Sequence, residues 1–310
     1  MSLAFTAVVL PAKAADPGLI NLVMPDASVI AGVNVDQAKN SPFGQYVLSQ
    51  IPANNTDLQK LVTLTGFDPT RDVHELLAAS TGTQNTGLVA ARGAFDPSKI
   101  ASVAVADGAK TETYGGITIL EAPNQSHAIA FLDSTLVVAG DLASVKAAID
   151  RQKAPTPLPS TVLSQITQWS TSQDAWAITT VPPSQLHPAN PPSLPGTNGI
   201  NPQAMLQTVQ SAGGGVKFGN NVVISAQLTS DNAADATQLQ GALQLLVSLA
   251  QMQAANDPKA AALAQSLKIT TSGQAVNVSL SLTEDQIQSI TKPNANVKGG
   301  RKVEKPIRQM

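Results

Sequence analysis

Short strand-like segments bounded by turn residues recur along most of this chain. Residues 127–132 and 135–139 are apolar runs joined by Asp133-Ser134, and residues 76–80 and 87–93 flank a turn bounded by glycines. Runs with short connections of this kind pair as antiparallel hairpins. Segments with apolar residues at helical spacing lie between them. The pattern therefore predicts an α+β fold in which helices pack on a largely antiparallel sheet.

A proline-rich segment divides the chain into two tandem units. Residues 152–160 contain Pro155, Pro157 and Pro159, a spacing that favours extended chain and blocks helix continuation. We place a linker there, between a first α+β unit at residues 16–151 and a second at residues 161–290. Both units run through helices and strands in a similar order, which predicts an internal duplication.

One five-residue pattern occurs twice in the first unit. Phe67-Asp68-Pro69-Thr70-Arg71 and Phe95-Asp96-Pro97-Ser98-Lys99 both read phenylalanine, aspartate, proline, hydroxyl and base. An aspartate before a proline accepts hydrogen bonds from the free N–H groups of a helical turn, and the preceding ring packs beside it. We therefore assign both aspartates a capping role. Beyond the second copy we expect strands, including one at residues 101–106.

The N-terminal residues look like the back half of a secretory signal. Residues 3–10 are apolar, and Ala12-Lys13-Ala14 before Ala15 has the small-x-small pattern of a cleavage site. Only Met1 and Ser2 precede the apolar run, so the basic opening of a complete signal is missing. We expect residues 1–15 to be a signal-like segment and the protein to be periplasmic or extracellular. A lipid-modified N-terminal cysteine is excluded because the chain has no cysteine.

Charged residues are scarce, at 13% of the chain against about 25% in typical domains. A net charge of -2 gives no attraction to nucleic acid, which needs a concentrated basic face. Many of the bases fall in residues 291–310, which we expect to be a disordered basic tail; attachment of this tail to a membrane surface is a further hypothesis. No stretch has the roughly 18 apolar residues of a membrane-spanning helix. The folded body is therefore suited to neutral hydrogen-bonding or apolar contacts.

The sequence contains no complete catalytic constellation. His74, His127 and His187 fall on different predicted elements, and a zinc-peptidase His-Glu-x-x-His pattern is absent. The chain also lacks a Gly-x-Ser-x-Gly elbow and any cysteine nucleophile. We therefore expect no metal or other cofactor.

Two features point to binding surfaces. Residues 181–202 hold seven of the 21 prolines without hydrophobic periodicity, as functional or disordered loops do, and predict a mobile flap. Its candidate contact residues are Pro182, Pro183, His187 and Pro192. A glutamine-rich helix from about residue 233 to 256 carries an apolar stripe that Leu245, Val247 and Met252 widen beyond what one sheet face needs. The widened stripe predicts a second contact, with the other unit or with a homodimer partner.

The segment from Gly66 to Leu77, Gly-Phe-Asp-Pro-Thr-Arg-Asp-Val-His-Glu-Leu-Leu, resembles a recurring segment of uncharacterised bacterial exported proteins of two α+β units. An Arg-Gly-x-Phe-Asp element at residues 92–96 and a closing block at residues 128–150 extend the resemblance over about residues 27–151. The resemblance implies a tandem α+β architecture outside the cytoplasm. It supplies no activity, and therefore no catalytic residue.

Two functions remain open on the sequence. We favour a non-enzymatic exported module that binds an unknown protein or a small neutral or apolar ligand, through the groove between the units or a sheet edge. The alternative is a hydrolase of unrecognised type that uses carboxylates or His187 near the groove. An inter-unit pocket with clustered Asp, Glu or His side chains would favour the hydrolase, and an apolar groove would favour binding.

Overall fold

The computed structural model describes residues 14–49, 56–83, 86–124, 127–186, 207–253, 263, 266–283 and 285–287. In this part of the chain the strands form one 12-stranded sheet in which every neighbouring pair is antiparallel. The prediction of helices packed on a large antiparallel sheet is confirmed. The strands are β1 (Val29–Asn34), β2 (Val73–Ser80), β3 (Gly87–Gly93), β4 (Lys110–Tyr114), β5 (Ile117–Glu121), β6 (Ala128–Phe131), β7 (Leu136–Gly140), β8 (Ala175–Thr179), β9 (Val209–Phe218), β10 (Asn221–Ser230), β11 (Leu267–Ser272) and β12 (Ala275–Thr283).

Helices connect these strands and cover parts of both sheet faces. A single 3₁₀ turn, Pro183–Gln185, follows β8 in the described part of the chain. No helix in that part is long and apolar enough to cross a membrane. The α-helices are α1 (Pro17–Ile20), α2 (Val35–Asn40), α3 (Pro42–Ser49), α4 (Thr56–Thr65), α5 (Pro69–Asp72), α6 (Pro97–Ala106), α7 (Leu142–Lys153), α8 (Ser160–Ser172) and α9 (Ala233–Gln253).

The sheet is continuous across the predicted linker. Its strand order is β11-β12-β10-β9-β8-β1-β2-β3-β7-β6-β5-β4, so β1 lies between β2 and β8. The central β1–β8 pair joins the two predicted units, with Ala31 directly opposite Ala177. The division into domains at residues 152–160 stays a prediction, but the strands on its two sides belong to one sheet.

The capping role predicted for the repeated Phe-Asp-Pro pattern agrees with the hydrogen bonds. Asp68 accepts from the backbone N–H of Thr70 at 2.9 Å, and Asp96 accepts from that of Lys99 at 3.1 Å. These contacts start α5 and α6, each with proline in its first turn. The two phenylalanines also meet, because the ring centroids of Phe67 and Phe95 lie 5.5 Å apart.

The strand expected at residues 101–106 is wrong, because these residues belong to α6. The Asp96 cap and Pro97 nucleate a helix, and Ala101, Ala104 and Ala106 have high helix propensity, which outweighs the β preference of the valines between them.

The sheet has two faces because side chains alternate along each strand. We call them the Ile30 face and the Ala31 face. The largest hydrophobic core lies on the Ile30 face, where Leu19 of α1, Ile149 of α7 and Ile166 of α8 are almost fully buried. Trp176 and Ile178 of β8 belong to the same core, so it draws on residues from both sides of the predicted linker.

Two smaller cores lie on the Ala31 face of the second half. One packs Leu239 of α9 against Val276 of β12. The other surrounds Phe218 at the end of β9, whose ring stacks on Phe43 of α3 with centroids 5.3 Å apart. A helix from the first half therefore helps to form a core of the second half.

Candidate functional site

A pocket of about 380 Å³ opens at one end of the sheet, where β1 and β9 finish and β8 begins. Residues from both predicted units line it, so we call it the junction pocket. Its volume lies at the lower end of the range of about 300–1,000 Å³ typical of ligand sites. The lining residues are Asp36, Gln37, Asn40 and Ser41 from the first half, and Asp174, Lys217 and Phe218 from the second.

The local sequence explains how α2 presents its polar side chains to the junction pocket. Asn34 ends β1 and caps α2, because its side-chain oxygen accepts from the backbone N–H of Gln37 at 3.0 Å. Asp36 and Asn40 lie four positions apart on α2, and Gln37 and Asn40 three apart, which places all three side chains on neighbouring parts of one helix surface.

Asp174 belongs to the part of the lining that comes from the second half. Its side chain is only 1% exposed, and its two oxygens accept from Lys217 Nζ and from the backbone N–H of Phe218, each at 2.6 Å. Its backbone carbonyl accepts from the N–H of Asn34 at 2.7 Å. A buried carboxylate is tolerated only when paired and hydrogen-bonded, and Asp174 meets both conditions. The residue therefore ties the start of β8 to both β1 and β9.

Asp36 is more open and is held by two bases. Its Oδ1 lies 2.7 Å from Lys39 Nζ and 3.1 Å from His74 Nδ1. Partial burial raises the pKa of the Asp36 carboxyl, but the hydrogen bonds with Lys39 and His74 outweigh that effect and leave the pKa below its usual value. The carboxyl is therefore ionised at neutral pH.

These contacts bear on the two functions left open by the sequence. The junction pocket is polar and contains two carboxylates, as the hydrolase hypothesis requires. Both carboxylates are already paired with cations, and a general acid needs a raised pKa, opposite to that of Asp36. Within the described residues His74 has no hydrogen-bonded nucleophile, and no three His, Asp or Glu side chains are placed to hold a metal ion. Both carboxylates of the junction pocket are therefore engaged in charge pairs.

A second pocket, of about 480 Å³, lies between the two Phe-Asp-Pro copies. The bases that end the copies, Arg71 and Lys99, both line it. Arg71 donates two hydrogen bonds to Asp72, at 2.6 and 2.7 Å, and these hold the pKa of the Asp72 carboxyl below its usual value. Lys99 lies 3.3 Å from Asp96, so this pocket too has its charges paired.

Among the predicted site residues that the structure describes, none lines the junction pocket. Pro182 and Pro183 lie at the 3₁₀ turn after β8, while His187 and Pro192 lie outside the described residues. Leu245 and Met252 are on α9 and are 56% and 75% exposed. Their role in binding stays a prediction.

Sequence reasoning missed Asp36, Asp174 and Lys217 as a group. Asp36 follows the strand-like run of β1, and Asp174 precedes that of β8, so each was visible as a charge at a strand end. What the sequence does not contain is the pairing of β1 with β8, which brings these ends together.

Comparisons with known proteins give a fold and no family. No protein-family model and no curated protein matches the chain. Solved structures of TP0453, a Treponema protein of unknown function, are similar to it. Crystal form I is 11% identical with a TM-score of 0.51, over 89% of this chain and 97% of that chain. Crystal forms III and IV are 13% and 14% identical with TM-scores of 0.53, each over 87% of this chain and over 96% and 95% of theirs. At such identity the likeness shows the fold alone.

Proposed function

We propose that this chain is a non-enzymatic binding protein that holds a small neutral ligand in the junction pocket. One observation carries the proposal: side chains from both halves of the sheet converge on one pocket in which each carboxylate is paired with a cation. Pockets at the interface between two parts of a fold are frequent ligand sites. With Lys39 counted beside Asp36, two ammonium groups balance the two carboxylates, and this balance favours a neutral ligand over an ion.

The Asp36–His74 contact is the observation that favours the alternative, a hydrolase. A carboxylate that orients a histidine is part of many hydrolytic sites. Such a site also needs a nucleophile or an activated water, and an acid with a raised pKa. The lowered pKa of Asp36 suits it to charge pairing instead.

A thermal-shift screen with neutral metabolites tests the proposal. Compounds that stabilise the protein are measured again on Gln37→Trp, which fills the pocket, and on Gln238→Trp, which places the same side chain on an exposed position of α9. We expect stabilisation to be lost in the first variant and retained in the second. Equal retention in both would contradict binding in the junction pocket. Turnover of chromogenic esters or glycosides that disappears in Asp36→Asn would favour the hydrolase.

We also infer that the chain arose by internal duplication. Support comes from the strand order on each side of the β1–β8 pair: β1-β2-β3 and β8-β9-β10 are both antiparallel meanders followed by a helix, α6 or α9. In each half the last strand, β7 or β12, then returns beside the third strand of the meander. Homologues of either half should therefore align β1–β3 with β8–β10, and failure to align would count against duplication.

Export is a further proposal, with cleavage after Ala14. Ala15 is buried and its backbone N–H donates to Ser170 Oγ at 3.1 Å, while Asp16 caps α1. A mature chain that begins at Ala15 would keep these contacts. N-terminal sequencing of the protein from the cell envelope should read Ala-Asp-Pro-Gly, and an intact Met1 would contradict the proposal.

A homodimer contact through α9 is the last part of the proposal. Leu245 and Met252 lie two turns apart on one helix and are both exposed, as an apolar contact requires. Leu245→Glu should then increase the elution volume in size-exclusion chromatography without lowering the melting temperature of the monomer. An unchanged elution volume, with Gln244→Glu as control, would remove the dimer.

A further inference from the structure

Unused hydrogen-bonding capacity in the junction pocket includes both donors and acceptors. Asp36 uses Oδ1 for Lys39 and His74, and its Oδ2 has no hydrogen-bond partner among the described residues. The side-chain amide of Gln37 also makes no hydrogen bond to them. The side-chain nitrogen of Asn40 donates to the Asp36 carbonyl at 2.7 Å, which leaves its amide oxygen able to accept a hydrogen bond. Lys217 uses one of its three N–H donors for Asp174.

This mixture fits neither an anion nor a cation. An anion accepts only, and it would meet the carboxylate of Asp36. A cation donates only, and it would meet the ammonium group of Lys217. A hydroxyl group donates and accepts at once, so a cluster of hydroxyls can use the amide of Gln37, the carboxylate of Asp36 and the ammonium group together.

The pocket also has an apolar component. Phe218 belongs to the lining, and its ring is held in place because it stacks on Phe43 at an interplanar angle of 21°. A ligand that presents C–H groups on one side and hydroxyls along its rim would bury apolar surface against the ring while its rim bonds to α2 and Lys217. Sugar rings have this division between a C–H face and a hydroxyl rim.

We propose that the ligand of the junction pocket is a neutral carbohydrate, a monosaccharide or a short oligosaccharide. The inference rests on the proposed function and names its ligand class. The polar groups come from two separate parts of the fold, α2 and the ends of β8 and β9, and the pocket volume of about 380 Å³ suits a compact ligand. Gln37 and Asn40 are the residues assigned to hydroxyl recognition, and Asp174 positions Lys217.

Ligand-observed NMR with a panel of neutral sugars tests the assignment on the full chain. The panel contains glucose, galactose, mannose, N-acetylglucosamine, maltose, cellobiose and trehalose at millimolar concentration. We expect saturation transfer to the C–H protons of at least one sugar. Gln37→Ala and Asn40→Ala should each weaken its binding about fivefold to tenfold, the effect of one lost hydrogen bond, and Gln238→Ala on α9 should leave it unchanged.

The outcomes separate this inference from the proposed function. A sugar that binds equally to wild type, Gln37→Ala and Asn40→Ala overturns the assignment, because it binds elsewhere. If no sugar binds, but Gln37→Trp abolishes the binding of a neutral compound without hydroxyls, the carbohydrate assignment is wrong and the junction pocket is still the binding site. If neither the panel nor the metabolite screen yields a compound sensitive to Gln37→Trp, both proposals fail.

Discussion

The two halves of the sheet carry their hydrophobic cores on opposite faces. In the first half the core lies on the Ile30 face beneath α1, α7 and α8, whereas in the second half α9 and α3 cover the Ala31 face. Each half also packs an element of the other, since α8 belongs to the first core and Phe43 to the last. The halves share a strand order but depend on each other for burial.

The uncovered faces differ as well. The positions paired across neighbouring strands run from Ile30 to Ile178, then to Gly213, Gln227 and Asn277. At the end of this row the side chain of Asn277 accepts a hydrogen bond from that of Gln227 at 2.9 Å. The Ile30 face thus becomes polar in the second half. On the Ala31 face of the first half, Val89 and Ile129 are 45% and 41% exposed. The alternation of apolar and polar residues along the strands therefore determines which face of each half is covered by helices.

The largest effect should come from separating the halves. We expect fragments 14–153 and 154–290, expressed alone, to lack a cooperative unfolding transition, because the cut takes Trp169, Trp176 and Ile178 out of the main core. Mixed in equal amounts they should associate and regain the far-UV circular dichroism of the intact chain.

A sharp urea transition in either isolated fragment would contradict this dependence. It would show that the linker predicted at residues 152–160 separates two domains that fold independently, and that the continuous sheet forms only afterwards. Tryptophan fluorescence reports on one fragment alone, because both tryptophans, Trp169 and Trp176, lie after the cut.

The next effect concerns the close approach of the halves at the central strand pair. Gly32 of β1 lies under the Trp176 ring of β8, and a Cβ on Gly32 would come within 2.6 Å of the ring. Gly32→Ala should lower the free energy of unfolding by about 1–3 kcal/mol, the usual cost of overpacking a core. Chemical denaturation followed by circular dichroism measures this change.

A double-mutant cycle with Trp176→Leu isolates the contact, because the smaller side chain leaves room for the new methyl group. The cost of Gly32→Ala should then fall below about 1 kcal/mol. Gly219→Ala is a matched control, since its Cβ would meet only an ordinary contact at 3.5 Å. Additive effects of the two substitutions would show that Trp176 is not the obstacle.

Caps and hairpins could be predicted from the sequence because their signals are local. The Asp68 and Asp96 caps, and hairpins such as β2–β3, depend on residues close together in the chain. The β1–β8 pair depends on residues far apart, and no local pattern specifies it. The junction pocket exists only because of that pair, so its residues could not be grouped beforehand. At α6 two local signals conflicted, and the cap outweighed the valines.

Acid should weaken a contact that belongs to the first half alone. Asp16, before α1, lies 2.9 Å from Arg92 of β3. Partial burial raises the pKa of Asp16, but Arg92 and the N–H groups of Gly18 and Leu19 outweigh it and leave the pKa below its usual value. A lowered pKa in the folded state contributes stability above the unfolded-state pKa of about 3.9, and this stability is lost as the pH falls through the folded value.

Asp16→Asn removes the charge and keeps a good capping residue. The variant should be less stable than wild type at pH 7, and the difference should shrink as the pH falls below about 4. Urea unfolding at pH 7 and at acid pH measures both. Asp231→Asn, at an exposed site of the second half, should follow the wild-type curve. A pH-independent difference for Asp16→Asn would show that its cost is not electrostatic.

The smallest effect has the opposite sign and lies in the second half. Gly241 is an exposed residue within α9, and beyond the neighbouring backbone of its own helix a Cβ there would meet no atom within 4 Å. Gly241→Ala should stabilise the protein by about 0.5–1 kcal/mol, because alanine has the higher helix propensity, and raise the melting temperature by roughly 1–3 °C. If the halves unfold as one unit, calorimetry should show a single transition that moves as a whole. Two transitions, of which only one shifts, would mean that the two halves unfold separately. The packing of α8 in the first core and of Phe43 in the last core would then not couple the halves.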